Sequence, residues 1–209
     1  MPTKRVRARR GRDRRDARSL QAGDYDLAGF IVGVVEREQV LDGKAVSVGD
    51  RILGLRSSGL HTNGYTLARK IVFDHLHLEI GDRPSELGGA TVGEALLAIH
   101  RSYLRALTPL LDAGLVNALS HITGGGFRDN IPRVLPMGVA VRLSRRAWEP
   151  NPIFRFIVEK GNVPAEDAYR TFNMGIGMVV IVKRENEERA AAALREGRGC
   201  DSPRRGRGG

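Results

Sequence analysis

The chain has 209 residues and a formal net charge of +10 at pH 7. It carries a single cysteine, Cys200, which excludes an internal disulfide, and no apolar run reaches the ~20 residues of a membrane span. The Arg-rich start lacks the apolar stretch of a secretory signal, so we expect a soluble, cytoplasmic protein of one domain.

The positive charge is confined to the two ends of the chain. Residues 1–18 carry a net charge of +7 and residues 197–209 a net charge of +3, so residues 19–196 are neutral overall. Both ends are rich in arginine and poor in large apolar residues, and we expect them to be disordered. The sequence therefore predicts a basic tail over 1–18, a domain over 19–196 and a second basic tail over 197–209.

Val-, Ile- and Leu-rich runs in the first half of the domain alternate with turn signals and helical patterns. Asp42-Gly43 indicates a tight turn, and Pro109 is expected to kink or end the helix in which it lies. The expected elements are a strand over 30–37, a hairpin region over 39–48, a strand over 50–55, a helix over 63–75, a loop over 81–93 and a helix over 94–113.

The second half of the domain continues the irregular alternation of strands and helices. Such an order is typical of an α+β fold, and we expect a mixed β-sheet with helices packed against it. The expected elements are strands over 116–122, 139–143 and 177–182, and helices over 129–134, 153–159, 165–169 and 185–196.

A triple glycine is the most informative local feature. Gly124, Gly125 and Gly126 follow a predicted strand and precede a predicted helix. Glycine lets bare backbone N–H groups approach an anion at a helix start, and the Thr123 hydroxyl adds a further donor. His121 precedes this loop and is a candidate proton donor or anion contact, although a histidine at the end of a strand is more often structural.

A second polar loop follows the strand over 50–55. Ser58, His61 and Asn63 offer several donors near a helix start, which suits a phosphate or a sugar hydroxyl. A helix cap with a surface histidine is the alternative interpretation.

The remaining candidates indicate no metal site and no further catalytic group. Three histidines have no ligand-type partner at metal spacing, and the domain contains no carboxylate cluster suited to two metals. Arg128 and Asp129 are expected to stabilise a helix start, and we expect the turn at Asn173 and Gly175 to serve folding. The three histidines are His75, His77 and His100.

Several segments together resemble the phosphoribosylformylglycinamidine cyclo-ligase (AIR synthetase) family. They are, in chain order, YDLAGF (25–30), SSGLHTNGY (57–65), LSHITGGGFRDNIPR (119–133), PIFR (152–155) and YRTFNMGIGM (169–178). The resemblance covers about residues 19–196 and is to the C-terminal domain of that family.

The resemblance implies an enzyme of purine biosynthesis that uses ATP to close formylglycinamidine ribonucleotide to aminoimidazole ribonucleotide. It implies catalytic roles for His61 and His121 and substrate or phosphate binding by Ser58, Asn63 and the segment 123–126. In the family, the ligands for ATP and Mg²⁺ belong mostly to an N-terminal domain, which also forms the homodimer. Because that domain is absent here, we expect the chain alone to be inactive.

Two alternatives to this function stay open. The basic tails favour a non-catalytic basic module that binds nucleic acid or another partner, although the domain is neutral and lacks an aromatic stacking platform. Another ATP-dependent member of the same superfamily is the second alternative. Membrane association is not expected.

Both tails have an unusual explanation, a shifted reading frame. With a permitted choice of codons, removing one base from the coding of residues 5–18 gives Ala-Cys-Ala-Leu-Val-Gly-Gly-Glu-Thr-Ala-Glu-Met-Pro, which resembles family text. Removing one base from a permitted coding of residues 197–209 likewise gives a sequence that resembles the end of the family's domain. The nucleotide sequence across both ends tests this hypothesis, since incompatible codons would contradict it.

Overall fold

The computed structural model describes residues 32–198. Residues 32–39 belong to a unit of their own, in which a 3₁₀ turn spans Arg37–Gln39. The sequence predicted a strand over 30–37, but residues 32–37 do not form one. No other described segment of the same unit pairs with them. The YDLAGF motif and residues 1–18 and 199–209 lie outside the described residues, so the predictions for both tails stay predictions.

The second unit is built on a three-stranded sheet of β1 (Arg51–Arg56), β2 (Val116–His121) and β3 (Ile176–Val182). The strand order is β1-β3-β2, and both pairings are antiparallel. The α+β class is therefore confirmed, although these strands form an antiparallel sheet where we expected a mixed one. The almost wholly apolar sequence of β3 suits its central place, since both of its faces are covered.

Short helices surround this sheet, and several confirm the sequence predictions. A π-helical turn, Lys70–His75, extends the first helix to the end that the sequence predicted, and 3₁₀ turns span Ser85–Leu87, Ile131–Val134 and Arg184–Asn186. The helices are α1 (Tyr65–Arg69), α2 (Val92–Leu96), α3 (Leu104–Asp112), α4 (Gly126–Asn130), α5 (Pro152–Lys160), α6 (Ala165–Thr171) and α7 (Glu187–Arg198).

The core has three parts. Two of them lie on opposite faces of the sheet, because successive side chains of β3 point to opposite faces. Val180 and Val182 pack with α3 and α7 on one face of the sheet. Val179 and Ile181 pack on the other face, with Ile131 and apolar side chains between 134 and 148. A third cluster, centred on the buried Phe154 and Phe172, joins α1, α2, α5 and α6.

The single helix predicted over 94–113 is wrong. A capping box between Thr91 and Glu94 starts α2, which ends at Leu96, and α3 begins only at Leu104. Leu97 and Ile99 are 77% and 88% exposed, so their apolar side chains do not belong to a buried helix face. Pro109 neither ends nor splits α3, which continues to Asp112.

Two further strand predictions are wrong, because the structure assigns neither segment as a strand and no segment between residues 32 and 198 pairs with it. The turn at Asp42-Gly43 forms, with the Lys44 N–H donating to Asp42 Oδ1 at 3.1 Å, but no strands flank it. Over 139–143 the odd-numbered residues are less exposed than their neighbours, as in a strand. The segment packs on the sheet face through those side chains without joining the sheet.

Candidate functional site

Two loops that carry predicted site residues meet at one end of the sheet. The first (57–64) follows β1, and the second (122–125) follows β2. The Ser57 N–H donates to the Gly175 carbonyl at 2.9 Å, and the Ile122 N–H donates to the Gly177 carbonyl at 2.8 Å. Both loops are therefore fixed to the start of β3, which lies between the two strands.

The two loops touch at Asn63 and Gly124. A Cβ atom placed on Gly124 would lie 3.1 Å from Asn63 Oδ1, so the amide packs directly against the glycine backbone. The structure thus brings together two motifs that are 60 residues apart in the sequence. Gly124 is exposed, which leaves its backbone open to the space beside the loops.

The first loop is anchored by Asn173, whose side chain is 2% exposed. Its Oδ1 accepts from Ser57 Oγ at 2.8 Å and from the Gly175 N–H at 2.9 Å. Its Nδ2 donates to the carbonyls of Gly59 and Leu60 at 2.9 and 3.3 Å. Three of these four hydrogen bonds hold the first loop and the fourth holds the turn at Gly175, which supports the folding role expected for Asn173.

The second loop is anchored by Asn130, at the end of α4, which the sequence analysis did not single out. Its Nδ2 donates to the carbonyls of Thr123, Gly124 and Gly126 at 3.3, 3.2 and 2.7 Å. Its Oδ1 accepts from Thr123 Oγ1 at 3.1 Å. A polar residue one helical turn after a glycine loop was the available signal.

Glycine is required at Gly126 for two reasons. Its φ of 59° lies in the left-handed region, and a Cβ there would lie 1.8 Å from the Tyr169 carbonyl oxygen. The backbones of α4 and α6 consequently approach each other closely. Nearby, Arg128 forms an exposed ion pair with Glu166 at 2.8 Å, in keeping with a structural role.

His61 is the most constrained of the candidate side chains. It is 5% exposed and has a φ of 59°, a conformation that is unfavourable for a residue with a side chain. Its Nε2 accepts from the Ser58 N–H at 3.2 Å, whereas its buried Nδ1 has no hydrogen-bond partner among the described residues. Desolvation, assisted by His100, His121 and Arg101, lowers the pKa of His61 to about 4. The imidazole is therefore neutral at pH 7.

His100 and His121 complete a cluster with His61. The His100 ring stacks on that of His61 with centroids 3.8 Å apart, and the His121 ring lies 5.4 Å from His100 and 6.5 Å from His61. Desolvation and then the charge of His100 lower the pKa of His121. The expectation that His100 has no ligand-type partner is wrong, because the break between α2 and α3 places it here. Sequence spacing could not reveal a cluster drawn from three separate segments.

A hydrogen bond fixes the segment of His100 against the first loop. Ser58 Oγ donates to the Ile99 carbonyl at 2.5 Å, so the predicted ligand contact also has a structural partner. A cavity of about 600 Å³ lies elsewhere, between β1 and the segment 139–148, and none of the predicted site residues lines it. The candidate residues converge instead at the end of the sheet, where the loops 57–64 and 122–125 meet, and this place is called the cleft below.

Residues 47–201 match the family described as AIR synthase related protein, C-terminal domain. The chain belongs to this family. Its relatives include proteins named phosphoribosylformylglycinamidine cyclo-ligase from Alkaliphilus oremlandii (49% identical, covering 82% of this chain and 50% of the relative) and Citrifermentans bemidjiense (49%, covering 79% and 47%). The relative from Anaeromyxobacter sp. is 49% identical and covers 86% of this chain and 52% of its own length.

The chain thus spans about half the length of the curated relatives it matches. The family membership agrees with the motifs that the sequence offered, three of which lie at the cleft. None of the helices between residues 32 and 198 has the length and apolar content that a membrane crossing requires.

Proposed function

We propose that this chain is the C-terminal half of a phosphoribosylformylglycinamidine cyclo-ligase and supplies one wall of its substrate site. The contact between Asn63 and Gly124 carries the proposal, because it joins the two motif-bearing loops into a single polar surface. The relatives are named as phosphoribosylformylglycinamidine cyclo-ligases. The reaction we propose is the one that the family resemblance implies, ATP-dependent closure of formylglycinamidine ribonucleotide to aminoimidazole ribonucleotide.

In this proposal the loops bind and orient the substrate. Thr123 and the backbone of Gly124–Gly126 suit a phosphate, while Ser58 and Asn63 suit hydroxyl or phosphate oxygens. Both catalytic candidates have a pKa below the ordinary value, which favours the neutral form that accepts a proton. We assign proton acceptance from the attacking nitrogen to the exposed His121, and positioning to the buried His61.

The proposed reaction needs ATP and Mg²⁺, but the described site does not fit this metal. Mg²⁺ prefers carboxylate and phosphate oxygens, whereas the proposed site residues offer imidazole, hydroxyl, amide and backbone groups. We propose that the other half of the enzyme supplies the Mg²⁺ ligands, most of the ATP site and the homodimer contacts. This chain alone is then expected to be inactive.

A split-enzyme assay tests the proposal. The chain is produced in a host that lacks its own cyclo-ligase, either alone or with the N-terminal half of the Alkaliphilus oremlandii relative, and ATP-dependent product formation is measured. We expect turnover only from the pair. His121→Ala should lower kcat at least about 100-fold, as loss of a general base does, and Asn63→Ala should mainly raise KM.

His75→Ala is the matched control, because His75 is exposed at the end of the π-helical turn and lies outside the cleft. It should retain full activity in the pair. Turnover by the chain alone, or full activity of the His121→Ala pair, would contradict the proposed division of roles. An inactive pair whose halves are both folded would contradict the proposed reaction.

A further inference from the structure

The three clustered histidines form a candidate metal site that shares His61 and His121 with the proposed catalytic residues and adds His100. One nitrogen from each of His61, His100 and His121 lies within 4.8 Å of the nitrogens of the other two. His61 comes from the loop after β1, His100 from the connection between α2 and α3, and His121 from the end of β2. We propose that these imidazoles bind one divalent transition-metal ion such as Zn²⁺, Co²⁺ or Ni²⁺.

The chemistry of the donors selects the class of ion. Imidazole nitrogen suits Zn²⁺, Co²⁺, Ni²⁺ and Cu²⁺, whereas Mg²⁺ and Ca²⁺ require oxygen ligands. Three protein ligands leave a fourth position for water or another small ligand, as in open zinc sites. The exposed positions of His100 and His121 give an ion access from solvent.

The burial of His61 provides an independent indication of a ligand. Its Nδ1 is a buried polar atom without a hydrogen-bond partner among the described residues, an unfavourable arrangement for a protein interior. The residue also holds a left-handed backbone conformation, which is unfavourable for a residue with a side chain. The hydrogen bond from the Ser58 N–H accounts for Nε2 but not for the buried Nδ1, whereas a metal ligand would account for a nitrogen held rigidly in this way.

Binding requires a small local rearrangement. Tetrahedral Zn²⁺ at ~2.0–2.1 Å from each nitrogen places the nitrogens about 3.3 Å apart, closer than the present limit of 4.8 Å. The stacked His100 ring must therefore turn, which its exposed position permits. His61 must also give up its 3.2 Å contact with the Ser58 N–H, since coordination by either nitrogen puts the ring proton or the metal on Nε2. The nearby positive charge of Arg101 opposes the ion.

Metal titration of the purified full chain tests the site without reference to catalysis. The protein is prepared without a polyhistidine tag and in a Cys200→Ser background, so that neither a tag nor the thiol binds the ion. Calorimetry with Zn²⁺ and absorption spectroscopy with Co²⁺ should give one ion per chain and ligand-field bands of four-coordinate Co²⁺. Mg²⁺ should give no heat of binding.

His100→Ala is the decisive variant, because His100 is exposed and has no part in the proposed catalytic machinery. We expect it to weaken Zn²⁺ binding about 100-fold while leaving the circular dichroism spectrum unchanged. His75→Ala and His77→Ala remove other exposed histidines and should bind as the parent protein does. Sub-stoichiometric binding by the parent, or unchanged affinity in His100→Ala, would overturn the proposal.

Discussion

The two loops of the cleft are held by the same kind of residue in opposite ways. Asn173 and Asn130 are both buried, and each makes four side-chain hydrogen bonds, three to its loop and one to a further glycine, Gly175 or Gly126. Asn173 lies 113 to 116 residues after the groups that it binds in the first loop, whereas Asn130 lies 6 or 7 residues after those that it binds in the second. The first loop therefore depends on the completed fold, while the second carries its own anchor.

The surroundings of the two anchors differ as well. All four groups that Asn173 contacts belong to buried residues, whereas Asn130 also contacts the exposed Gly124. Water can replace a hydrogen bond at an exposed carbonyl but not at a buried one, so the cost of losing each anchor differs. The comparison predicts a rigid first loop and a second loop that tolerates local change.

Gly126→Ala should produce the largest effect by separating α4 from α6. The added Cβ meets a backbone carbonyl at 1.8 Å in a left-handed conformation, so we expect a loss of about 3–5 kcal/mol in the free energy of unfolding. Urea unfolding measures it. Gly88→Ala is the matched control, because Gly88 has a φ of 65° and open space around it. If Gly88→Ala lost as much free energy of unfolding as Gly126→Ala, the loss would be due to backbone strain and not to the close approach of α4 and α6.

Asn173→Ala should destabilise the chain by about 2–4 kcal/mol, because it leaves several buried groups without partners. The change is measured by urea unfolding against Asn186→Ala, which alters a side chain away from both loops. Amide exchange should show the whole first loop opening, including the Ser57 N–H that pairs with Gly175. Protection of that amide equal to the parent's would contradict the long-range anchoring.

Asn130→Ala should cost less, about 1–2 kcal/mol, since water reaches part of its loop. Exchange should accelerate at the Gly126 N–H, which donates to the Thr123 carbonyl at 3.0 Å, and stay unchanged in the first loop. The comparison between the loops fails if the two asparagine variants lose the same free energy and open the same amides.

Acid should weaken the first loop by the smallest amount, through His61. Its pKa is about 4 in the folded chain and 6.5 in the unfolded one, so between these values the unfolded chain binds more protons. Stability is therefore complete above pH 6.5 and falls as the pH drops towards 4. Because solvent near the exposed His100 screens the interaction, we expect a loss of about 1 kcal/mol between pH 7 and pH 5.

Thermal unfolding of His61→Asn at both pH values tests this assignment. Asparagine tolerates a positive φ and does not titrate, so the variant should lose that part of the pH dependence. His75→Gln, which alters an exposed histidine, should retain it. An unchanged pH slope in His61→Asn would assign the effect to other groups.

The sequence predicted the elements whose signals are local and failed where pairing decides. The three sheet strands, the helices α5 and α6 and the glycine loop follow from patterns within a few residues. The segments 39–48 and 139–143 carry strand-like patterns too, but a strand exists only beside a partner, and the partner is chosen by the rest of the fold. The predicted helix over 94–113 is interrupted in the structure, where residues near its middle make other contacts, such as the hydrogen bond from Ser58 to the Ile99 carbonyl.

The candidate site was predictable in its loops but not in its cluster. The motifs predicted that His61, His121 and the glycines belong to one site, and the structure brings together the two loops beside which they lie, at the contact of Asn63 with Gly124. His100 carries no motif, and its 39- and 21-residue separations from the other two histidines match no metal-binding spacing. His100 can join the cluster because α2 ends at Leu96, so that residue 100 lies in the connection to α3 and not within a helix.

The central place of β3 in the sheet has a consequence for folding while the chain is being synthesised on the ribosome. Of the three strands that the structure describes, β3 is the last to be synthesised, yet each of the other two pairs with β3 and not with the other. About 125 residues separate the start of β1 from the start of β3. At a translation rate of ~5–20 residues per second, β3 is therefore synthesised roughly 6–25 seconds after β1. During that interval the unpaired edge of β1 is open to other nascent chains, and a chaperone that shields extended apolar segments would raise the yield of folded protein.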